Sequence, residues 1–380
     1  MIQVVLTEPH TIAELFPFSE TRCAWELRIG YYTIAERWQV ALRDVPICVE
    51  SFRGSHLASY QERSGSLPQF STTLPTLFIG GHVALAPEVM FQLAEAARTS
   101  TKPFLIGVGG HTVGVFVPHA AQSAHEAIHS VQSESLDIIE CSGFVVNRLW
   151  HAIDHIPSGV LWDAKLLPHH IHPTAVVHPT AVLDTSSGPI LLGEGVNIGA
   201  FSLVSGPTAL GPTSEVKPHA NINTIAAGVY VKLGGEVSNV IVQSHSNKAH
   251  YGFWGHSYIG SWVNIGAGCT TSNLKNTYGN IRVELPWGVE DTQRTFLGAL
   301  TGDHVKFAIG LMLTTGTVCG TGANILAEHA SRRAHVSFSW GDEMAVIDRL
   351  LRSIRRMMSR RNEELGPATE QLLREISSIE

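Results

Sequence analysis

The stretch NKAHYGFWGHSYIGSWVNIGAGCTTSNLKN, residues 247–276, carries two histidines six apart, His250 and His256, followed by a cluster of asparagine, threonine and lysine. Residues of these types suit a general base, a metal site, or a merely repetitive wall. A neutral imidazole can take the proton of an attacking nucleophile. Two imidazoles can hold a metal only if they converge. With 20 histidines in 380 residues, a lone one identifies nothing. The segment HHIHPTAVVH, residues 169–178, looks metal-like, yet His172 and His178 are also six apart and each precedes a proline.

The spacing of six is explained by the chain around it. Aliphatic residues recur at Leu192, Ile198, Val204, Leu210, Val216 and Ile222. Four positions after each stands a small or β-branched residue: Val196, Ser202, Thr208, Ser214, Ala220 and Ala226. The phase opens at Ile171, Val177 and Leu183, and returns at Ile259 and Ile265 and again at Phe307, Leu313, Cys319 and Ile325. Six is not a helical period. It fits three short strands per coil, each placing one aliphatic inward, with Gly, Pro and Asn at the corners. This hexapeptide pattern predicts a parallel β-helix. Residues six apart then face different sides of the prism, so neither His172 with His178 nor His250 with His256 makes a two-histidine metal site. At most one of His250 and His256 serves any one active site.

Residues 1–165 lack the period. Short apolar runs (IQVVL, VPICVE, TLFIGGHVAL, PFLIGVG) and one helical stretch, APEVMFQLAEAAR, predict an α/β domain, with the loop RSGSLPQFSTTLP at 63–75. Coils are expected over 166–330 and a helical tail over 331–380. In the tail, Ile347, Leu350, Leu351, Ile354, Met357 and Met358 follow helical spacing until Gly366-Pro367 breaks it, and a second helix follows. Its arginines (Arg349, Arg352, Arg355, Arg356, Arg360, Arg361) either meet the phosphates of a ligand or form a solvated, acid-paired face.

Apolar residues make up 44% and charged residues 16% of the chain, and the formal net charge is −7. That balance argues against a general nucleic-acid or membrane surface. No run approaches the roughly 20 apolar residues of a membrane span, and no signal peptide is expected. The cysteines Cys23, Cys48, Cys141, Cys269 and Cys319 contain no CxxC, which predicts buried thiols in a reducing compartment, the cytoplasm.

The motif at 247–276 resembles the acetyltransferase core of the GlmU-like bifunctional family. The resemblance covers roughly 190–330. It implies a left-handed β-helix, against the usual right-handed crossover preference, and acetyl-CoA as co-substrate. By the motif, His250 is similar to the catalytic base and His256 is only a turn residue. Asn264 matches the asparagine on the sugar phosphate, and Asn273 the one beside the acetyl group and coenzyme. Ile309 and Ala327 fall where backbone groups meet the coenzyme arm. Lys217 fits the basic phosphate clamp. Lys232, eighteen residues before His250, would lie directly beneath it if no insertion breaks the register. For both lysines a solvated wall charge is the other reading. Glu236 suits the amino group. The family's two aromatic hydroxyls are replaced by Phe253 and Leu274. The insertion at 274–294 is expected to lean over a neighbouring subunit, or to stabilise a homotrimer as a flap.

Over the full chain, FPFSETRCAWELRIGYYTIAERW, LFIGGHV, SNLKNTYGNIRV and the tail resemble a variant GlmU-like group described as sugar nucleotidyltransferases. That chemistry wants a Gly-rich loop and cations around a triphosphate. In its place stand Arg22, Arg28 and Gly30, with Glu26 between them. A magnesium-holding Asp is expected after TLFIGG, but the residue is His82. Magnesium would be needed only if this domain is active; otherwise it binds a nucleotide sugar or is a relic. The resulting expectation is an N-acetyltransferase acting on an amino-sugar phosphate, with no metal at its site. The alternative is a sugar-1-phosphate nucleotidyltransferase whose coils serve trimerisation.

Overall fold

The computed structural model describes residues 1–65, 67, 68, 70–118, 123–131 and 136–378. In the loop expected at 63–75, residues 66 and 69 lie outside this set. The chain forms two compact units. One comprises Met1–Ile12, Arg22–Leu27 and Tyr32–Asn147; the other comprises Ala13–Thr21, Arg28–Tyr31 and Arg148–Glu380. The boundary expected at 165 therefore falls at 147/148, because helices Leu149–Asp154 and Ile156–Ala164 pack with the coils. Gly159 sits so close to Ile29 that a Cβ on it would lie 2.2 Å from the Ile29 carbonyl oxygen.

The first unit is built on a mixed sheet. Its strands are β1 (Gln3–Thr7), β2 (Ile47–Glu50), β3 (Thr76–Gly80), β4 (Phe104–Val108), β5 (His111–Val117) and β6 (Ile138–Cys141), in the order β2-β1-β3-β5-β4-β6. Strands β2, β1 and β3 are parallel, and β5 runs against both β3 and β4. Val4, Val5 and Leu6 are wholly buried, as expected for a central parallel strand covered on both faces. The expected helix is present at Pro87–Thr99, with proline in its first turn and Val89, Met90, Leu93, Ala94 and Ala97 buried along one stripe.

The second unit winds two ten-stranded walls, parallel except for a closing hairpin strand, with a short third wall. One wall stacks Asn197, Glu215, Lys232, Asn247, Asn264, Lys306 and Asn324 in successive rungs. The inward aliphatics of the six-residue phase form one core running from Ile190 to Ile325. The small residues four positions on are explained by corner chemistry. Ser214 Oγ donates to Gly228 O (3.1 Å) and accepts from Val231 N (3.0 Å); Ser246 Oγ donates to Gly260 O (2.6 Å) and accepts from Val263 N (2.9 Å). A compact hydroxyl thus satisfies backbone groups that turn away from the ladder. At one corner Thr213, Tyr230, His245, Trp262 and His304 all adopt φ between 58° and 67°. That conformation costs an L-residue of order 1 kcal/mol or more. The cost is offset by ladder bonds such as His245 N to Val229 O (2.8 Å) and by stacking of His245 on Trp262 at 4.2 Å.

The insertion is a hairpin, Arg282–Leu285 with Gly288–Asp291. It folds onto its own unit: Ile281 and Val283 are fully buried, Arg148 Nε bonds Glu290 (2.9 Å), and Arg294 Nε bonds Asp154 (2.7 Å). The coils also outlast residue 330, since Ala334–His335 and Ser339–Trp340 extend the two walls. Helices Ile347–Ser359 and Pro367–Ser377 follow, and Leu350, Leu351, Ile354 and Met358 pack on Trp262 and Phe338. Of the tail arginines, Arg355 and Arg374 pair with Glu370, whereas Arg361 donates to Tyr230 O, His245 O and Asn247 Oδ1. All five cysteines are free thiols; four are buried and Cys141 is half-buried. Among the described residues, no helix is long and apolar enough to cross a membrane.

Candidate active site on one edge of the coil

His250 follows the two-residue strand Asn247–Lys248 and is exposed. The chain swings out through Tyr251 and returns at Gly252, which has φ +118°. A Cβ on Gly252 would lie 2.1 Å from Cys269 O, so only glycine lets the corner close.

The register around His250 corrects one expectation. Lys232 pairs with Asn247, fifteen residues on, rather than with a residue eighteen on. This coil is short, so Lys232 is not beneath His250. Continuing the pairing puts Gly235 there, and a Cβ on Gly235 would lie 3.0 Å from His250 O. Lys217 instead falls two rungs below Ala249, the neighbour of His250. Glu215 holds both lysines, bonding Lys217 Nζ at 2.6 Å and lying 3.8 Å from Lys232 Nζ. Glu236 is exposed and pairs with Phe253. Asn264 is exposed one rung above Asn247, whose side-chain amide reaches it at 3.5 Å.

The same ladder aligns the coenzyme candidates. Asn247 opposes Asn264, Asn264 opposes Lys306, and Lys306 opposes Asn324. Continued by three residues, this register puts His250, Ala267, Ile309 and Ala327 on one edge. At about 4.8 Å per rung, His250 and Ala327 stand about 14 Å apart. Ile309 is 75% exposed, and Ala327, also exposed, opens a 3-10 turn.

Asn273 lies elsewhere, against His256. Its amide Nδ2 donates to His256 Nδ1 at 2.9 Å, which places the ring proton on Nε2. The ring also stacks on Phe296 at 5.2 Å, and burial holds its pKa below the ordinary histidine value. Beside the pair is a groove of about 420 Å³ lined by Phe253, Thr270, Asn273, Leu274 and Met312. Sequence reasoning treated His256 as a turn residue only. The missed signal was that Asn273 follows it by seventeen residues, one coil.

In the first unit, a pocket of about 830 Å³ opens where β1, β2 and β3 end, lined by Glu8, His10, Glu50, Phe52, His82 and His111 among others. Ligands in open α/β sheets bind at such carboxyl ends. Arg22, Arg28 and Gly30 do not line it. Arg22 pairs with Glu26 at 2.9 Å, and Arg28 donates to Tyr31 O. A Cβ on Gly30 would lie 2.6 Å from Gly159 main chain, so its role is close packing. Glu8 spends its carboxylate on Arg53, Ser51 and the Ala24 N–H. Burial pushes His82 down to about 4, so it is neutral. Among the described residues no three His, Cys, Asp or Glu side chains converge to hold a metal.

Residues 4–170 match the family model described as sugar nucleotidyl transferase. The bifunctional protein GlmU of Gloeobacter violaceus is 31% identical over 122 residues, covering 31% of this chain and 26% of that protein. The bifunctional sugar-1-phosphate nucleotidylyltransferase/acetyltransferase of Sulfurisphaera tokodaii is 30% identical over 118 residues, covering 30% and 28%. The chain thus spans only about a quarter of the length of these relatives. A solved mutant of GDP-perosamine N-acetyl transferase from Caulobacter crescentus, in complex with CoA and GDP-perosamine, covers 85% of this chain and 88% of its own at 11% identity. Its TM-score is 0.16, too loose a superposition to bear on fold or function. Over its first 170 residues the chain is thus similar to sugar nucleotidyl transferases, and over about a third of its length it is similar to GlmU and to a bifunctional nucleotidylyltransferase/acetyltransferase.

Proposed function

We propose that the coil edge is the site of an acetyl-CoA-dependent N-acetyltransferase acting on an amino-sugar phosphate of the glucosamine-1-phosphate type. The observation that carries this reading is the alignment of His250, Ile309 and Ala327 on one edge, with Asn264 and Lys217 on the adjoining wall. In the reaction, the amine nitrogen attacks the thioester carbonyl carbon while the exposed His250 imidazole takes the amine proton. A C–N bond forms, the C–S bond breaks, and the thiolate leaves as coenzyme A, protonated in turn. Backbone N–H groups along the edge stabilise the oxyanion. Lys217, Lys232 and Asn264 orient the sugar phosphate and Glu236 receives the amino group; Asn273, which the resemblance puts beside the acetyl group, is bonded to His256 away from this edge. A left-handed sense for the coils, a homotrimer with the edge facing a second prism, and a cytoplasmic location belong to the same reading.

The test is coenzyme A release from acetyl-CoA and glucosamine-1-phosphate, with His250→Ala alongside. Release that collapses in the variant supports the assignment; equal release in both sinks it. Sugar-1-phosphate nucleotidyl transfer is a second reading, favoured by the pocket at the ends of β1–β3 within the matched segment. Pyrophosphate release from a nucleoside triphosphate and a sugar-1-phosphate, with and without magnesium, would test it. It ranks second because Glu8 is already held by Arg53 and Ser51, and Arg22, Arg28 and Gly30 do not line the pocket.

A further inference from the structure

The inward position of this wall is apolar in nearly every rung: Val216, Leu233, Ile265, Phe307 and Ile325. The exception is Lys248, which takes the inward position between Leu233 and Ile265 and is only 2% exposed. A lysine there must be held by acceptors inside the coil, because burying an unpaired ammonium is costly. Its Nζ donates to Gly234 O at 2.9 Å and to His250 O at 2.5 Å. Both carbonyls belong to the tight corner made by the fifteen-residue coil. Gly234 has no room for a Cβ, which would lie 2.4 Å from Ala249 O, and Gly252 closes the same corner at φ +118°. The strand ends at Lys248, so the His250 carbonyl is outside the regular strand pairing. The ionisable group facing Lys248 is Cys269, whose Sγ approaches Ala308 O at 2.8 Å.

We infer that Lys248 is a positioning residue for His250: from inside the coil its ammonium clamps the His250 main chain and so fixes where the imidazole leaves the edge. This rests on the reading of His250 as the base. Leu233 and Ile265 show that a hydrocarbon fills this inward position one rung away in each direction, so the lysine is not needed to fill space. It spans two rungs and joins the exposed corner to the wall.

The experiment uses the full chain and Lys248→Met, which keeps side-chain length and removes the donor. The expected result is a folded variant whose kcat for acetyl transfer falls about ten- to hundred-fold with KM for acetyl-CoA within about twofold, the mark of lost orientation. Histidine-selective NMR gives a readout independent of activity: the His250 ring signals should shift and broaden in Lys248→Met. Unchanged ring signals with unchanged kcat overturn the proposal. If His250→Ala leaves transfer intact, the base assignment fails, and the ring signals alone then decide whether the clamp exists. Should Lys248→Met not fold, the wild type still decides. Slow exchange of the Lys248 Nζ protons, with coupling to the His250 carbonyl, supports the clamp; exchange at the solvent rate overturns it.

Discussion

The inward lysine makes folding stability depend on pH in a window where few proteins gain stability. Burial pushes the Lys248 ammonium from its ordinary 10.5 to about 8. Below pH 8 the lysine is charged in both the folded and unfolded chain, and the folded state bears the whole desolvation cost. Between pH 8 and 10.5 the unfolded chain still holds a proton that the folded chain has released. Stability therefore rises with pH across that window. At about 1.4 kcal/mol per pKa unit, the rise is about 3 kcal/mol. With an unfolding entropy of about 2.1 cal/mol/K per residue, this is about 4 °C in melting temperature for a chain of this length. Other groups titrate in the same range, so the quantity to measure is the difference from Lys248→Met. Urea unfolding of both proteins at half-unit steps from pH 7 to 10.5 supplies it. The wild type should gain about 3 kcal/mol on the variant, mostly above pH 8. A difference that stays flat would mean that the lysine keeps an ordinary pKa and is not enclosed by the coil.

Other expectations concern single positions. His250→Ala should leave the melting temperature unchanged, since the side chain is exposed, and lower coenzyme A release about 100-fold or more. Gly252→Ala should cost more than about 2 kcal/mol, because its Cβ would meet Cys269 O at 2.1 Å; calorimetry checks this. Trp254→Ala should cost about 3–5 kcal/mol by denaturant unfolding, since the indole is fully buried and meets Phe307 edge-on at 5.4 Å. Arg361→Ala removes bonds to Tyr230 O, His245 O and Asn247 Oδ1. It should expose the segment after residue 345 to trypsin at concentrations that leave the coils uncut; equal digestion of variant and wild type would show that the tail is held elsewhere.

The coils were legible because each inward residue solves the same problem. Leu192, Ile198, Val204 and Leu210 all fill one shared interior, so the repeat of six survives in the residue types. Legibility failed where that problem changed. Lys248 occupies an inward position with the wrong chemistry and the coil before it drops to fifteen residues, so counting by eighteen misplaced Lys232. His256 was passed over because counting by eighteen hides that Asn273 stands one seventeen-residue coil beyond it, and the Phe296 ring beside it returns only after the insertion. In the first unit only the helix at Pro87–Thr99 and the apolar strands could be read. A mixed sheet takes its order from pairings far apart in the chain, such as Thr76 with Val117, and no local period records them. The roles of Arg22, Arg28 and Gly30 depended on partners that spacing does not reveal, namely Glu26, the Tyr31 carbonyl and Gly159.

The edge carrying His250, Ile309 and Ala327 behaves as a ruler whose graduations are hydrogen bonds. Between Asn264 and Lys306 the thread of the chain pays out forty-two residues, including a whole hairpin, yet the two asparagine and lysine rungs remain adjacent. Between Lys232 and Asn247 it pays out fifteen, and the step is again one rung. Contour length and measured length are therefore decoupled. Any excursion that leaves a corner and rejoins at the next rung preserves the distance between His250 and Ala327. Flaps and lids can be exchanged on such a scaffold without recalibrating the chemistry. Loss of a single rung would instead shorten that distance by about 4.8 Å.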